Sequence, residues 1–192
     1  MDPAEGPWAA LLPVVDALDA LGVAWHVGGS VASSLHGVFR ATNDVDLVAE
    51  LDSIHAAPLA SALGATHACD EAWIRDAIVR HSSFNAIHDA SGFKIDVFVP
   101  VGAPFARSVM ERRIRLVLPG TERAVFVASP EDIVLQKLRW FRDGGEVAQQ
   151  QWRDVLGVIK LQGSLLDGAY LHAWGTSLAV ADLLDRALAE GA

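Results

Sequence analysis

The chain has 192 residues, 52% of them hydrophobic and 20% charged, enough for one cored body or a catalytic half with a helical appendage, and its composition excludes a disordered chain. A formal net charge of -9 excludes general coating of nucleic acid, because a polyanion is repelled unless a local basic patch or a metal intervenes. Cys69 stands alone, which excludes an internal disulfide or a cysteine-built zinc knuckle and suits a reducing compartment.

The start of the chain is acidic, and Pro13, Asp16 and Asp19 interrupt its apolar stretch, unlike a signal peptide. No segment reaches the ~20 clean apolar residues of a membrane helix. A cytoplasmic protein with no membrane partner is therefore expected.

In chain order, Leu11, Leu12, Val15, Leu18 and Leu21 recur at helical spacing and predict a covering helix from about Trp8 to Leu21, stopped by Gly22. Val23 to Val27 reads as a short strand, Gly28-Gly29 as a tight turn, and Ser30 to Val38 as a helix. Asp44 to Glu50 reads as a second strand and Ile54 to Leu63 as a helix. Ser82 to His88 and Phe93 to Val99 read as strands joined in a hairpin, followed by β-like runs at Ile114 to Leu118 and Ala124 to Val127. Ser129-Pro130-Glu131-Asp132 is a helix-opening signature, with a serine cap, a first-position proline and acids in the first turn. Gly144-Gly145 separates that helix from one over Glu146 to Leu161, and Gly163, Gly168 and Gly175 divide the tail into short helices. The expected architecture is α+β, a mixed sheet flanked by helices, with an α/β core over residues 1–128 and a helical region over 129–192 packed on it.

The stretch that carries chemistry runs from His26 to Glu50. Side chains alternate along a strand, so Asp44 and Asp46 share one face and both carboxylates reach one cation, while Val45 faces the other layer. Magnesium or manganese, with its preference for oxygen ligands, phosphate and water, suits such a pair beside a glycine turn with free N–H groups, and Ser30 adds a hydroxyl. Asp96, between Ile95 and Val97, is a third strand acid; it either faces solvent on an edge or pairs with metal and the first two.

Gly28, Gly29, Ser30, Asp44, Asp46 and Asp96, in that order, resemble the nucleotidyltransferase (polymerase-beta-like) superfamily, whose pattern is a glycine-serine turn, a D-x-D strand and an acid on a later strand. Arg40-Ala41-Thr42-Asn43-Asp44-Val45-Asp46-Leu47 and Ser129-Pro130-Glu131-Asp132-Ile133 to Lys137 look like the AbiEii-type toxins and related small nucleotidyltransferases. The resemblance implies the nucleotidyltransferase fold and a metal set of Asp44, Asp46 and Asp96. It implies a nucleotide-binding set of Gly28, Gly29, Ser30, Arg40, Thr42, Lys137 and Asp154. It further implies transfer of a nucleoside monophosphate from a nucleoside triphosphate to a protein, a tRNA or other RNA end, or a small molecule, and a cognate toxin or antitoxin as a partner.

Plainer readings stand beside these. Arg40 and Thr42 could only shape the loop, Lys137 could be a solvated helix lysine, and Asp154 could pair locally with Arg153. The seven histidines lack metal-site spacing, and Trp8, Trp140, Trp152 and Trp174 fall in helical apolar patterns that suit core packing over base stacking. A cluster of Arg107, Arg112, Arg113 and Arg115 could receive a tRNA end. The alternative overall is a non-catalytic binding module on the same fold.

Overall fold

The computed structural model describes residues 7–191. By contacts the chain divides into two compact units that interleave in sequence: Met1–Gly28 with Thr42–Val127, and Gly29–Ala41 with Ala128–Ala192. A single line after residue 128 does not follow this division, because the chain enters the second unit at Gly29 and returns to the first at Thr42.

The first unit holds a seven-stranded mixed sheet. Its strands are β1 (Trp25–Val27), β2 (Asp44–Ala49), β3 (His67–Ala68), β4 (Ser83–His88), β5 (Lys94–Phe98), β6 (Ile114–Val117) and β7 (Ala124–Val127), in the spatial order β3-β4-β5-β2-β1-β7-β6. The β4–β5 hairpin is antiparallel as expected, β2 runs parallel to β5, and β1 runs antiparallel to β2 and parallel to β7. Helices α1 (Pro7–Ala20) and α3 (Ala56–Leu63) pack together, and α1 also covers β2 and β5. The reason lies in α1: Leu11, Val14, Val15 and Leu18 form one apolar stripe and are all buried.

Two helices of this unit lie where no element was expected. Helix α4 (Glu71–Arg80) packs on α3 and β4, capped by Asp70, which accepts from the N–H of Ala72 at 2.7 Å. Helix α5 (Pro104–Arg112) opens with a proline in its first turn. The first strand is shorter than expected, beginning at Trp25, because Val23 continues the turn after α1 and donates to the carbonyl of Leu18.

The second unit is helical. Here α2 (Gly29–His36) packs on α6 (Pro130–Asp143) and α7 (Gln149–Gln162), while α8 (Gly168–Ser177) and α9 (Ala181–Gly191) complete the group. Ser129 caps α6 as its signature predicted, accepting from the N–H of Asp132. Gly175 lies inside α8 and does not end it. A Cβ there would come within 3.1 Å of Leu184 Cδ2, so the glycine permits close approach of α8 to α9. The expectation of core tryptophans is met in full by Trp152 alone, which is buried; Trp8 and Trp174 are half-buried, and Trp140 is 37% exposed because it lies off the apolar stripe of α6.

Among the described residues no helix is long and apolar enough to cross a membrane. Interior histidines serve the backbone: His36 Nε2 lies 2.8 Å from the carbonyl of Ala128, and His67 Nε2 lies 2.9 Å from that of Ala10.

His26 on β1 is 2% exposed, and its Nδ1 finds no hydrogen-bond partner among the described residues. Burial, helped by the charge of Arg113, pushes its imidazole from 6.5 down to about 4, and burial lowers His36 and His67 as well. A histidine neutral in the fold but protonated when unfolded gives its full stabilisation above pH 6.5 and loses it as the pH falls towards its folded value. Urea unfolding should therefore show stability falling between pH 6.5 and about 4, and His26→Leu should remove about 3 kcal/mol of that fall.

Candidate functional site

Strand alternation brings the three acids of the first unit to one face. Along β2, Asp44, Asp46 and Val48 are half-buried while Val45, Leu47 and Ala49 are buried, and along β5 Lys94 and Asp96 are half-buried between buried Ile95 and Val97. The apolar residues anchor the strands and hold the polar ones on the opposite side. Because β2 and β5 are parallel neighbours in register, Asp44 stands opposite Lys94 and Asp46 opposite Asp96. Asp46 and Asp96, 50 residues apart, therefore lie at one level of the sheet, with Asp44 two residues away on the same face.

Each member already has a contact. Thr42 Oγ1 donates to Asp44 Oδ1 at 2.7 Å, and Lys94 Nζ lies 2.6 Å from Asp96 Oδ2. Hydrogen bonding to Asp96 chiefly holds the Lys94 ammonium above the usual lysine range, with the charges of Asp96, Asp44 and Asp46 acting in the same direction against partial burial. One ammonium thus feels all three carboxylates. At the head of β2 the Gly28 N–H donates to the Asp46 carbonyl at 2.9 Å, which fixes the turn beside that strand.

Among the described residues no three histidine, cysteine, aspartate or glutamate side chains are gathered closely enough to hold a metal ion together. The donor set nevertheless fits a hard divalent cation, since magnesium takes one or two carboxylates and completes its shell with phosphate and water. Lys94 is a cation that all three acids attract here.

In the second unit, Gly29 takes a φ of +54°, a left-handed conformation suited to glycine, and opens α2 with Ser30 in its first turn. Arg40 Nη2 donates to Ser30 Oγ, and the same guanidinium reaches both oxygens of Asp154 on α7, at 3.3 and 3.4 Å. Lys137 on α6 donates to Asp154 at 2.7 Å and to Gln151 at 3.0 Å, and Gln150 also donates to Asp154. Ser30, Arg40, Lys137 and Asp154 thus form one connected set, from segments 30 to 154 along the chain.

Lys137 is no solvated helix lysine: its side chain is 1% exposed, and that of Asp154 is 7% exposed. Burial alone would raise the Asp154 carboxyl, but the hydrogen bond and charge of Lys137, then those of Arg40, outweigh it and hold the group below the usual carboxylate range. Asp154 pairs with these two cations and not with its neighbour Arg153. The approach that permits this is made by glycines: a Cβ on Gly37 would fall 2.9 Å from the backbone nitrogen of Val158 and 3.0 Å from the carbonyl carbon of Gly157. The end of α2 therefore lies directly on the backbone of α7, and Arg40 follows three residues later.

The arginines considered for RNA are partly engaged within the first unit. The Arg113 guanidinium lies 4.7 Å from the Phe126 ring centre and that of Arg115 lies 5.9 Å from it, while Arg107 donates to the Gly102 carbonyl. The residue missed in sequence is Lys94, whose place two positions before Asp96 puts it on the same strand face.

Removing one partner of a buried pair leaves an uncompensated charge. Asp154→Ala should lower unfolding stability by about 3–5 kcal/mol in urea titrations at pH 7, whereas Lys137→Met with Asp154→Leu should recover most of that loss.

No protein-family model matches the chain, and no curated protein matches it. Solved structures do. The solution structure of the antibiotic-resistance factor ANT(2'')-Ia matches with a TM-score of 0.57 at 14% identity, covering 93% of this chain and 96% of that one. The crystal structure of ANT(2'')-Ia in complex with adenylyl-2''-tobramycin matches at 0.57 and 13% identity, covering 89% of this chain and 95% of that one. An antigenic nucleotidyltransferase-like protein from Paracoccidioides brasiliensis matches at 0.53 and 18% identity, covering 92% of this chain and 90% of that one. The chain has an α+β fold of the nucleotidyltransferase kind.

Proposed function

We propose that the protein is a metal-dependent nucleotidyltransferase that moves a nucleoside monophosphate from a nucleoside triphosphate to an acceptor hydroxyl or phosphate. The observation that carries this reading is the alignment of Asp44, Asp46 and Asp96 on one face of a parallel strand pair, with a shared cation among them. Like charges on one half-buried face attract a cation, and a sheet has no structural use for three of them there.

In this reading Asp44 and Asp46 would hold magnesium or manganese together with the triphosphate, and Asp96 would serve the acceptor. When bound, the ion would supply charge neutralisation and Lewis acidity at the phosphates. The chain's own groups do the positioning. In the first unit Thr42 orients Asp44 and the Gly28 backbone would receive phosphate oxygens; in the second the Gly29 backbone and the Ser30 hydroxyl would do the same, and Arg40 presents positive charge from a fixed geometry. Lys137 is too deeply buried to be a mobile phosphate ligand, so its part is to hold Asp154, which in turn holds Arg40. Arg40, Lys137 and Asp154 together keep one net positive charge, suited to a polyanionic substrate.

The acceptor oxygen forms a bond to the α-phosphorus, the bond to the β-phosphate oxygen breaks, pyrophosphate leaves, and the acceptor proton passes to solvent. Among protein, RNA-end and small-molecule acceptors, a hydroxylated small molecule is placed first. The similar ANT(2'')-Ia was solved with adenylyl-2''-tobramycin, and the net charge of -9 disfavours long nucleic acid. The AbiEii-type role and a toxin or antitoxin partner rest on the Arg40 to Leu47 and Ser129 to Lys137 motifs.

A second reading, a non-catalytic module, draws on the fact that Asp96, Asp44 and Asp154 already have partners within the fold. Label transfer separates the two: protein, magnesium or manganese, each α-labelled nucleoside triphosphate, and cell lysate. The enzyme reading expects label in one acceptor class with the wild type and background with Asp44→Ala/Asp46→Ala. Metal binding without transfer to any acceptor supports the module instead.

A further inference from the structure

Lys94 has a place in the carboxylate set that neither the fold nor the proposed reaction requires. It sits on β5 directly opposite Asp44 and two residues before Asp96, so the strand pleat directs its side chain to the face that carries all three acids. Its ammonium is 2.6 Å from Asp96 Oδ2. The two ends of this contact differ in exposure: the Asp96 side chain is 14% exposed, and that of Lys94 is 40% exposed. A four-carbon stem with solvent at hand can withdraw the ammonium, whereas Asp96 is held in the strand between buried neighbours.

A divalent ion approaching these acids meets a positive charge beside them and a hydrogen-bonded Asp96 oxygen. We infer that Lys94 is an internal counter-cation: it offsets part of the negative charge of the carboxylate set in the metal-free protein, swings outward when a divalent cation binds, and so tunes the affinity for that cation. This rests on the metal-handling reading of Asp44, Asp46 and Asp96 given above. Lys94 is a positioning residue here, since it acts through Asp96 and touches no substrate. The raised affinity of the ammonium for its proton agrees with its position among three carboxylates. Without Lys94 the acids would repel one another in the metal-free protein and would favour an external cation more strongly.

The test is manganese binding to the metal-free, nucleotide-free full chain, followed by the electron paramagnetic resonance signal of free Mn2+. Wild type, Lys94→Met, Lys94→Gln, Lys94→Arg and Lys94→Met with Asp44→Asn/Asp46→Asn are compared, and each is melted with and without Mn2+. Lys94→Met and Lys94→Gln should bind Mn2+ about tenfold more tightly than wild type, and Lys94→Arg within about twofold of it. Both neutral variants should melt lower than wild type without metal and gain more from added Mn2+, and the two asparagine substitutions should abolish the tightening. Neutral variants that bind no more tightly than a wild type that does bind would overturn the role of Lys94 and leave the metal site standing. Tightening that survives the asparagine substitutions would overturn it too, by placing the ion elsewhere. If neither wild type nor neutral variants bind Mn2+, the metal reading itself fails and this inference fails with it.

Discussion

Three carboxylates on one face of a parallel strand pair, two of them at the same level, repel one another, and the arrangement around them follows from the need to offset that repulsion. Asp44 and Asp46 share a face because they are two residues apart, and Asp96 joins them because β5 runs parallel to β2 with Asp96 opposite Asp46. The buried residues between them, Val45, Leu47, Ile95 and Val97, lock the strands so that the acids cannot turn away. Lys94 is the local offset, and Thr42 takes one oxygen of Asp44. Such a set is costly as scaffold and useful as a cation site, which is the physical basis for the functional reading.

The second unit solves a different electrostatic problem. Asp154 and Lys137 are both removed from solvent, and each is tolerable only because the other is there, with Gln150, Gln151 and Arg40 filling the remaining hydrogen-bonding capacity. The close backbone contact between Gly37 and Gly157 brings the segment after α2 onto α7 and thereby brings Arg40 to Asp154. A side chain on Gly37 would push these helices apart, and one on Gly157 would press on Val38. The result is a guanidinium whose direction is set by buried groups, which is the kind of pre-organisation that phosphate recognition rewards.

What could be read in the sequence was what repeats along a single element. The shared face of Asp44 and Asp46 follows from period-two alternation, and the start of α6 from the Ser129-Pro130 signature. What could not be read was register between distant strands, so the level of Asp96 against Asp46 came only from the sheet. Lys94 was overlooked although the same alternation links it to Asp96. The depth of Lys137 was hidden because a lysine at helical spacing is far more often exposed than buried. Helix α4 was missed because four charges interrupt its apolar residues, of which Ile74 and Ala77 are buried, and its signals were the Asp70 cap and the pairs Glu71 with Arg75 and Asp76 with Arg80, one turn apart. The compact units were also out of reach, because a helix inserted between β1 and β2 belongs with elements a hundred residues later.

The central claim is that the carboxylates on β2 and β5 handle a metal-bound triphosphate. Calorimetric titration with an α,β-methylene nucleoside triphosphate analogue, which binds without being cleaved, tests it most directly. The account predicts binding in the presence of magnesium that disappears with a chelator and in Asp46→Asn, while the variant keeps the melting temperature of the wild type within a few degrees. Binding of the analogue that is indifferent to both magnesium and Asp46 would contradict it.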